Sequence, residues 1–131
     1  MCCEPFQITV LVVDDDPDIR ETVVHALTSR GMRCVTAKDG IQAEFVLATT
    51  TVDLIITDLF MPNADGIEVI RLTRNQARYL PILAMSGNSF DGTMDYLDVA
   101  KKLGADAVLS KPFRRQELLE MVTRLLADAP R

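Results

Sequence analysis

ITVLVVDDDPDI, residues Ile8 to Ile19, places a strand, a cluster of acids and the start of a helix in immediate succession. Ile8 to Val13 is apolar except for Thr9. A strand with one wet face would alternate polar and apolar residues, whereas an unbroken apolar run suits a parallel strand covered on both faces. Asp16 followed by Pro17 reads as an N-cap with proline at the first helical position, where its missing N–H costs nothing. Ile19, Val23 and Leu27 then recur every four residues, and Gly31 closes the helix. A buried strand that runs directly into an amphipathic helix is the first half of a βαβ unit.

The same alternation continues outward from this stretch. Cys34 to Ala37 forms a second strand candidate, and Asp39-Gly40 opens a helix carrying Ala43, Val46 and Leu47. Val52 to Thr57 is the third strand, followed by a Pro- and Gly-containing loop and a helix with Ile67, Ile70 and Leu72 facing inward. Leu80 to Met85 and Met94 to Leu103 supply strand four and helix four, which Gly104 ends. Ala107 to Leu109 is a short fifth strand, and Arg114 to Leu126 is a helix whose inward face is Leu118, Val122 and Leu125, or the 119/126 pair. Five strands alternating with five helices predict an α/β fold, an open parallel sheet with helices on both faces. Several strand orders remain compatible with periodicity alone.

The chain has 131 residues, 48% of them hydrophobic and 25% charged, and a net charge of −5. We expect one domain over residues 1–131, its core spanning about 7–127, with no output domain. The negative balance argues against a nucleic-acid backbone as partner, since phosphates want a basic face. No apolar run approaches the ~20 residues of a membrane span, and no secretory leader precedes the first strand, so a cytoplasmic location is expected. Three cysteines, Cys2, Cys3 and Cys34, lack ligand-like spacing and read as free thiols.

In open α/β sheets, ligands gather beyond the C-terminal ends of the strands. Those positions hold Asp14-Asp15-Asp16 after strand one, Asp58 after strand three, Ser86-Gly87 after strand four and Ser110-Lys111-Pro112 after strand five. Three acids would repel a bare phosphate, and the glycines of a nucleotide loop are missing from strand one. A cation must therefore come first, and Mg2+ suits two or three carboxylates plus a carbonyl. With it, one carboxylate can attack phosphorus and form an acyl phosphate, while Lys111 offsets developing charge. Asp16 reads separately, as a solvated helix cap. His25 sits beside the apolar stripe of the first helix and reads as a surface residue.

Four segments in order carry a resemblance to the receiver domains of two-component response regulators: LVVDDDP (11–17), DLIITDLFMPNADGIEV (53–69), MSG (85–87) and LSKPF (109–113). The resemblance covers essentially the whole chain. It implies a flavodoxin-like sheet in the order 2-1-3-4-5. It also implies that Asp58 accepts a phosphoryl group from a phosphohistidine, that Asp15 binds Mg2+ directly and that Asp14 does so through water. The Phe60 carbonyl matches a main-chain metal ligand, so the implied metal set is Asp14, Asp15, Asp58 and Phe60. Ser86, Gly87 and Lys111 match the residues that hold the phosphoryl group, and the bond from Lys111 to Pro112 is often cis in the family. Met61-Pro62 and Asp65-Gly66 match the loop that leads from the acceptor to helix three. Val108 departs from the pattern, standing where many receivers carry a Tyr or Phe that rotates inward on activation.

The function implied is a signalling switch, with no turnover of a separate substrate. Its partners would be a sensor histidine kinase or histidine phosphotransfer protein, and a downstream protein met through helix four, strand five and helix five. Neither membrane nor nucleic acid is expected as a direct partner, and a phosphorylation-dependent dimer is a further contact open to it. A non-phosphorylated pseudo-receiver would be expected to lack one of the acids or the lysine, and all are present. A phosphohydrolase would want a second acid two residues beyond Asp58, where Phe60 stands.

Overall fold

The computed structural model describes residues 7–76, 78–87 and 96–129. Its elements are β1 (Thr9–Val13), α1 (Pro17–Thr28), β2 (Arg33–Ala37), α2 (Gly40–Thr49), β3 (Leu54–Asp58), a 3-10 turn (Pro62–Ala64), α3 (Asp65–Arg74), β4 (Ile82–Ser86), α4 (Tyr96–Leu103), β5 (Ala107–Ser110) and α5 (Arg115–Asp128). The strands form one parallel sheet in the order β2-β1-β3-β4-β5, as the resemblance implied.

The unbroken apolar run of β1 is explained by two cores. Val10 and Val12 face α1 and α5, joining Val23, Leu27, Leu118 and Val122. Leu11 and Val13 face the other side, with Ala43, Val46 and Val69. A third cluster, Leu59, Ile70, Ile82, Ala84, Ala100 and Ala105, extends that second side beneath α3 and α4, and Val108 packs partly buried against it. Central strands covered on both faces cannot slip register without driving an apolar set into the wrong layer.

Most strand boundaries differ from the sequence expectation by one or two residues, and the inward face of one helix differs too. Strand three begins at Leu54 because Asp53 leaves the ladder: its carboxylate accepts the Thr9 N–H at 2.9 Å, while its own N–H bonds to the Thr9 carbonyl. Strand four begins at Ile82, since Pro81 has no N–H to donate and the Leu80 carbonyl is taken by Arg74 Nη1 at 2.7 Å. Strand five runs one residue longer, with Ser110 in register with Ser86. On α3 the buried face is Gly66, Val69, Ile70 and Thr73, with Ile67 and Leu72 only half-buried. On α5 both alternatives contribute, Leu118, Leu119, Val122 and Leu125 being buried. The expected start of helix four at Met94 and the pair Cys2-Cys3 lie outside the described residues.

Candidate functional site

Parallel pairing sends the C-terminal ends of β1, β3, β4 and β5 to one edge, and the polar residues stand there. Asp14 follows β1 and is completely buried, Asp58 ends β3 with 5% of its surface exposed, and Ser86 ends β4 equally buried. Asp15 is exposed. Carboxylate oxygens of Asp14, Asp15 and Asp58 all lie within 4.8 Å of one another. Lys111 reaches across the chain, its Nζ 2.9 Å from Asp14 Oδ2 and 3.3 Å from Asp58 Oδ1.

Backbone bonds hold Asp14 and Lys111 in place. The Asp14 N–H donates to the Ala37 carbonyl, and Asp14 Oδ1 accepts the Asp16 N–H at 2.9 Å. Asp16 in turn caps α1, accepting the Asp18 N–H at 2.9 Å. Lys111 is placed by its own N–H, which donates to the Ser86 carbonyl at 2.7 Å, so the ends of β4 and β5 are tied together. The peptide bond from Lys111 to Pro112 is cis. Beyond Asp58, the Leu59 N–H bonds to the Met85 carbonyl at 2.8 Å.

The loop that follows Asp58 is set by a close approach. A Cβ on Gly66 would lie 2.2 Å from the Asp58 carbonyl oxygen and 2.5 Å from that of Leu59, so only glycine fits the first turn of α3 there. Asn63 takes a left-handed conformation, φ 64°, within the turn leading to it. Asp65 accepts the Gly40 N–H at 3.1 Å, joining the starts of α2 and α3.

Two buried carboxylates beside one lysine make an electrostatic contest whose outcome can be read. Burial and the neighbouring charge of Asp14 push the Asp58 carboxyl up to about 6, against the opposing pull of Lys111 and of the Phe60 backbone N–H. Burial alone would lower Lys111. Its hydrogen bond to Asp14 and the charges of Asp58 and Asp14 outweigh that and hold it above its ordinary value. One ammonium does not balance the acids around it, so the cluster favours an added cation. An all-oxygen donor set of carboxylates is what Mg2+ prefers, and the residues present fit it.

The other expected residues fall as follows. The Phe60 side chain is 47% exposed and its backbone N–H meets the Asp58 carboxylate. Gly87 is half-buried, and a Cβ built on it would meet nothing within 4 Å. Asn88, which follows Ser86-Gly87 and flanks the acceptor in the sequence reading, lies outside the described residues, as does the side chain of Tyr96, read from the sequence as a packing residue of helix four. His25 is exposed on α1. Sequence reading passed over Arg20, whose Nη1 donates to the Asp14 carbonyl at 2.7 Å and pins the acidic loop after β1 to α1. An arginine in the first turn of a helix that follows an acid cluster was the available signal.

Residues 10–123 match the family described as the response regulator receiver domain. Among curated proteins, the response regulator MprA of Mycobacterium sp. strain KMS is 37% identical over 120 residues, covering 91% of this chain and 50% of that protein. The chain thus spans about half the length of the curated relatives it matches. Among solved structures, the chemotaxis response regulator CheY4 of Vibrio cholerae superposes with a TM-score of 0.81 at 32% identity, covering 92% of this chain and 99% of that one. The receiver domain of the Francisella response regulator 1452 gives 0.80 at 32% identity, covering 92% and 98%.

Proposed function

The chain belongs to the response regulator receiver domain family, whose function is phosphoryl acceptance, and from that premise we propose that Asp58 is the acceptor. The observation that carries this is the meeting of Asp58 with Asp14, Asp15 and Lys111 at one sheet edge. A carboxylate oxygen of Asp58 attacks the phosphorus of a phosphohistidine on the donor. The new O–P bond forms as the P–N bond breaks, and the imidazole leaves with the electron pair and takes up a proton. Water later attacks the acyl phosphate and releases inorganic phosphate, so nothing but the chain itself is turned over.

Asp14, Asp15, Asp58 and the Phe60 carbonyl would hold Mg2+, whose charge favours a dianionic group in a bed of acids. Lys111 already bridges Asp14 and Asp58, so its ammonium stands ready to pair with a phosphoryl oxygen without new ordering. Ser86 lies at the adjoining strand end to meet a second oxygen through its hydroxyl. Gly87, with open space in place of a side chain, leaves room and a backbone N–H for the third.

The partners fit this chemistry: a histidine kinase or histidine phosphotransfer protein as donor, and a downstream protein read through α4, β5 and α5. Val108, half-buried against the core under α4, has no ring to rotate, so a coupling from Ser86 to a swinging aromatic at this position is ruled out. A cytoplasmic site of action agrees with this donor, and no helix among the described residues is long and apolar enough to cross a membrane.

Intact mass after incubation with acetyl phosphate and Mg2+ tests the assignment. One labile phosphoryl adduct is expected on the wild type, lost with EDTA and absent from Asp58→Asn. A folded, Mg2+-binding protein that takes no adduct from acetyl phosphate or from a phosphohistidine donor would overturn it in favour of a pseudo-receiver.

A further inference from the structure

Helix α2 is apolar on more than the side it buries. Ala43 and Val46 are in the core, yet Ile41 is 80% exposed and Phe45 68% exposed on the opposite side. They are the two most exposed large hydrophobic side chains among the described residues. Ala48 is exposed as well, and with Ile41 and Phe45 it completes the i, i+4, i+7 spacing of one helical stripe. A stripe of this kind has no role in the phosphoryl site, which lies at the strand ends, nor in the α4–β5–α5 face.

The stripe is self-complementary. Read along the helix it runs large, aromatic, small: Ile41, Phe45, Ala48. Laid antiparallel against a second copy about a two-fold axis at Phe45, it seats each Ile41 against the partner's small Ala48. The two Phe45 rings then meet at the centre in an aromatic pair. The helix carries a single charged residue, Glu44, so the remainder of its surface adds little repulsion although each chain bears −5. We propose that α2 is a self-association surface through which two copies of this chain pair antiparallel about Phe45.

Its size sets its strength. Ile41 and Phe45 offer on the order of 250 Å2 of apolar surface per copy. Two copies together cover on the order of 500 Å2 of apolar surface, well under the ~1,200 Å2 at which standard interfaces begin, and a contact of that size gives weak and transient association. The dimer is therefore dissociable, with Kd between about 1 µM and about 1 mM. Raised salt tightens it by screening the net negative charge of the two chains. It does not depend on Asp58, which separates it from any pairing driven by phosphorylation.

Sedimentation of the full chain across that concentration range, without phosphodonor, tests the proposal. The weight-average mass should climb from 14.5 kDa toward twice that value, equally for the wild type and Asp58→Asn, and remain at 14.5 kDa for Phe45→Asp. Geometry is tested by oxidative cross-linking after Cys2→Ser, Cys3→Ser and Cys34→Ala. Phe45→Cys lies on the axis and should link to itself. Ile41→Cys should not, because two copies four residues off the axis stand about 12 Å apart along it, beyond the ~7 Å a disulfide can span. Ile41→Cys combined with Ala48→Cys should link. A mass that stays at 14.5 kDa throughout, a dimer that survives Phe45→Asp, or self-linking of Ile41→Cys as fast as Phe45→Cys would overturn the proposal. None of these readouts measures phosphorylation, so they leave the Asp58 assignment standing or falling on its own test.

Discussion

Replacing Asp58 by asparagine should stabilise the metal-free protein, and by an amount that grows with pH. In the fold the Asp58 carboxyl is pushed up to about 6 from an ordinary 3.8, first by burial and then by the charge of Asp14. The folded state therefore holds this proton more tightly than the unfolded chain does. Between those two values the native state binds more protons, so stability falls as pH rises through the window and levels off above about 6. A gap of about two pH units corresponds to about 3 kcal/mol at neutral pH. Asparagine does not titrate and escapes that cost. Groups away from the site titrate alike in both proteins, so the difference between them reports on this carboxyl together with the Asp14 and Lys111 charges coupled to it. Urea unfolding in EDTA, at several pH values, gives the comparison. From about pH 4.5 to about pH 7 the advantage of Asp58→Asn over the wild type should widen by about 2 kcal/mol. A constant offset could come from the altered contact with Lys111 and would not matter. A difference that stays flat, or narrows as pH rises, would refute the reasoning that Asp58 is ionised at a cost beside Asp14.

Mg2+ should raise the melting temperature, by about 2.7 kcal/mol of stability at a hundredfold excess over Kd, and Asp15→Ala should blunt that gain; a wild-type melting curve indifferent to Mg2+ would contradict the metal assignment. Gly66→Ala should cost about 2–4 kcal/mol in urea unfolding and slow adduct formation, since its Cβ would land 2.2 Å from the Asp58 carbonyl oxygen. Arg74→Ala should cost about 1–3 kcal/mol, because this side chain bonds the Leu80 and Gly104 carbonyls and the Asp106 carboxylate; the phosphoryl site is remote from it, and adduct formation by the folded variant should be unchanged.

What could be read from the sequence depended on how local its cause was. β1 was plain because burial on both faces leaves an unbroken apolar run, and the Asp16-Pro17 cap showed where α1 begins. The starts of β3 and β4 were placed too early because Val52 and Leu80 are buried residues that lie outside the ladder, one before Asp53 and one before Pro81. Apolarity reports burial, and hydrogen bonding decides the strand. On α3 Ile70 was read correctly as buried and Ile67 packs against the same cluster, but Gly66 and Thr73, two residues that do not look like core, share the buried side unread and Leu72 is only half-buried. Strand order came only through the family resemblance, for no periodicity encodes which strands are neighbours. The same is true of the site: Asp14 and Lys111 are 97 positions apart, and it is the crossover of successive βαβ units that brings them to 2.9 Å. The apolar outer stripe of α2 was illegible because a helix hydrophobic all round does not say which of its faces is covered.

The central claim is that the phosphoryl group is carried by Asp58 and by no other acid of the cluster. Borohydride reduction of the phosphorylated chain converts an acyl phosphate to the corresponding alcohol, so peptide mass spectrometry then reports which aspartate had become homoserine. Homoserine at position 58 alone, and only when phosphodonor and Mg2+ were both present, is the predicted result. Homoserine at Asp14 or Asp15 with Asp58 intact would contradict the account.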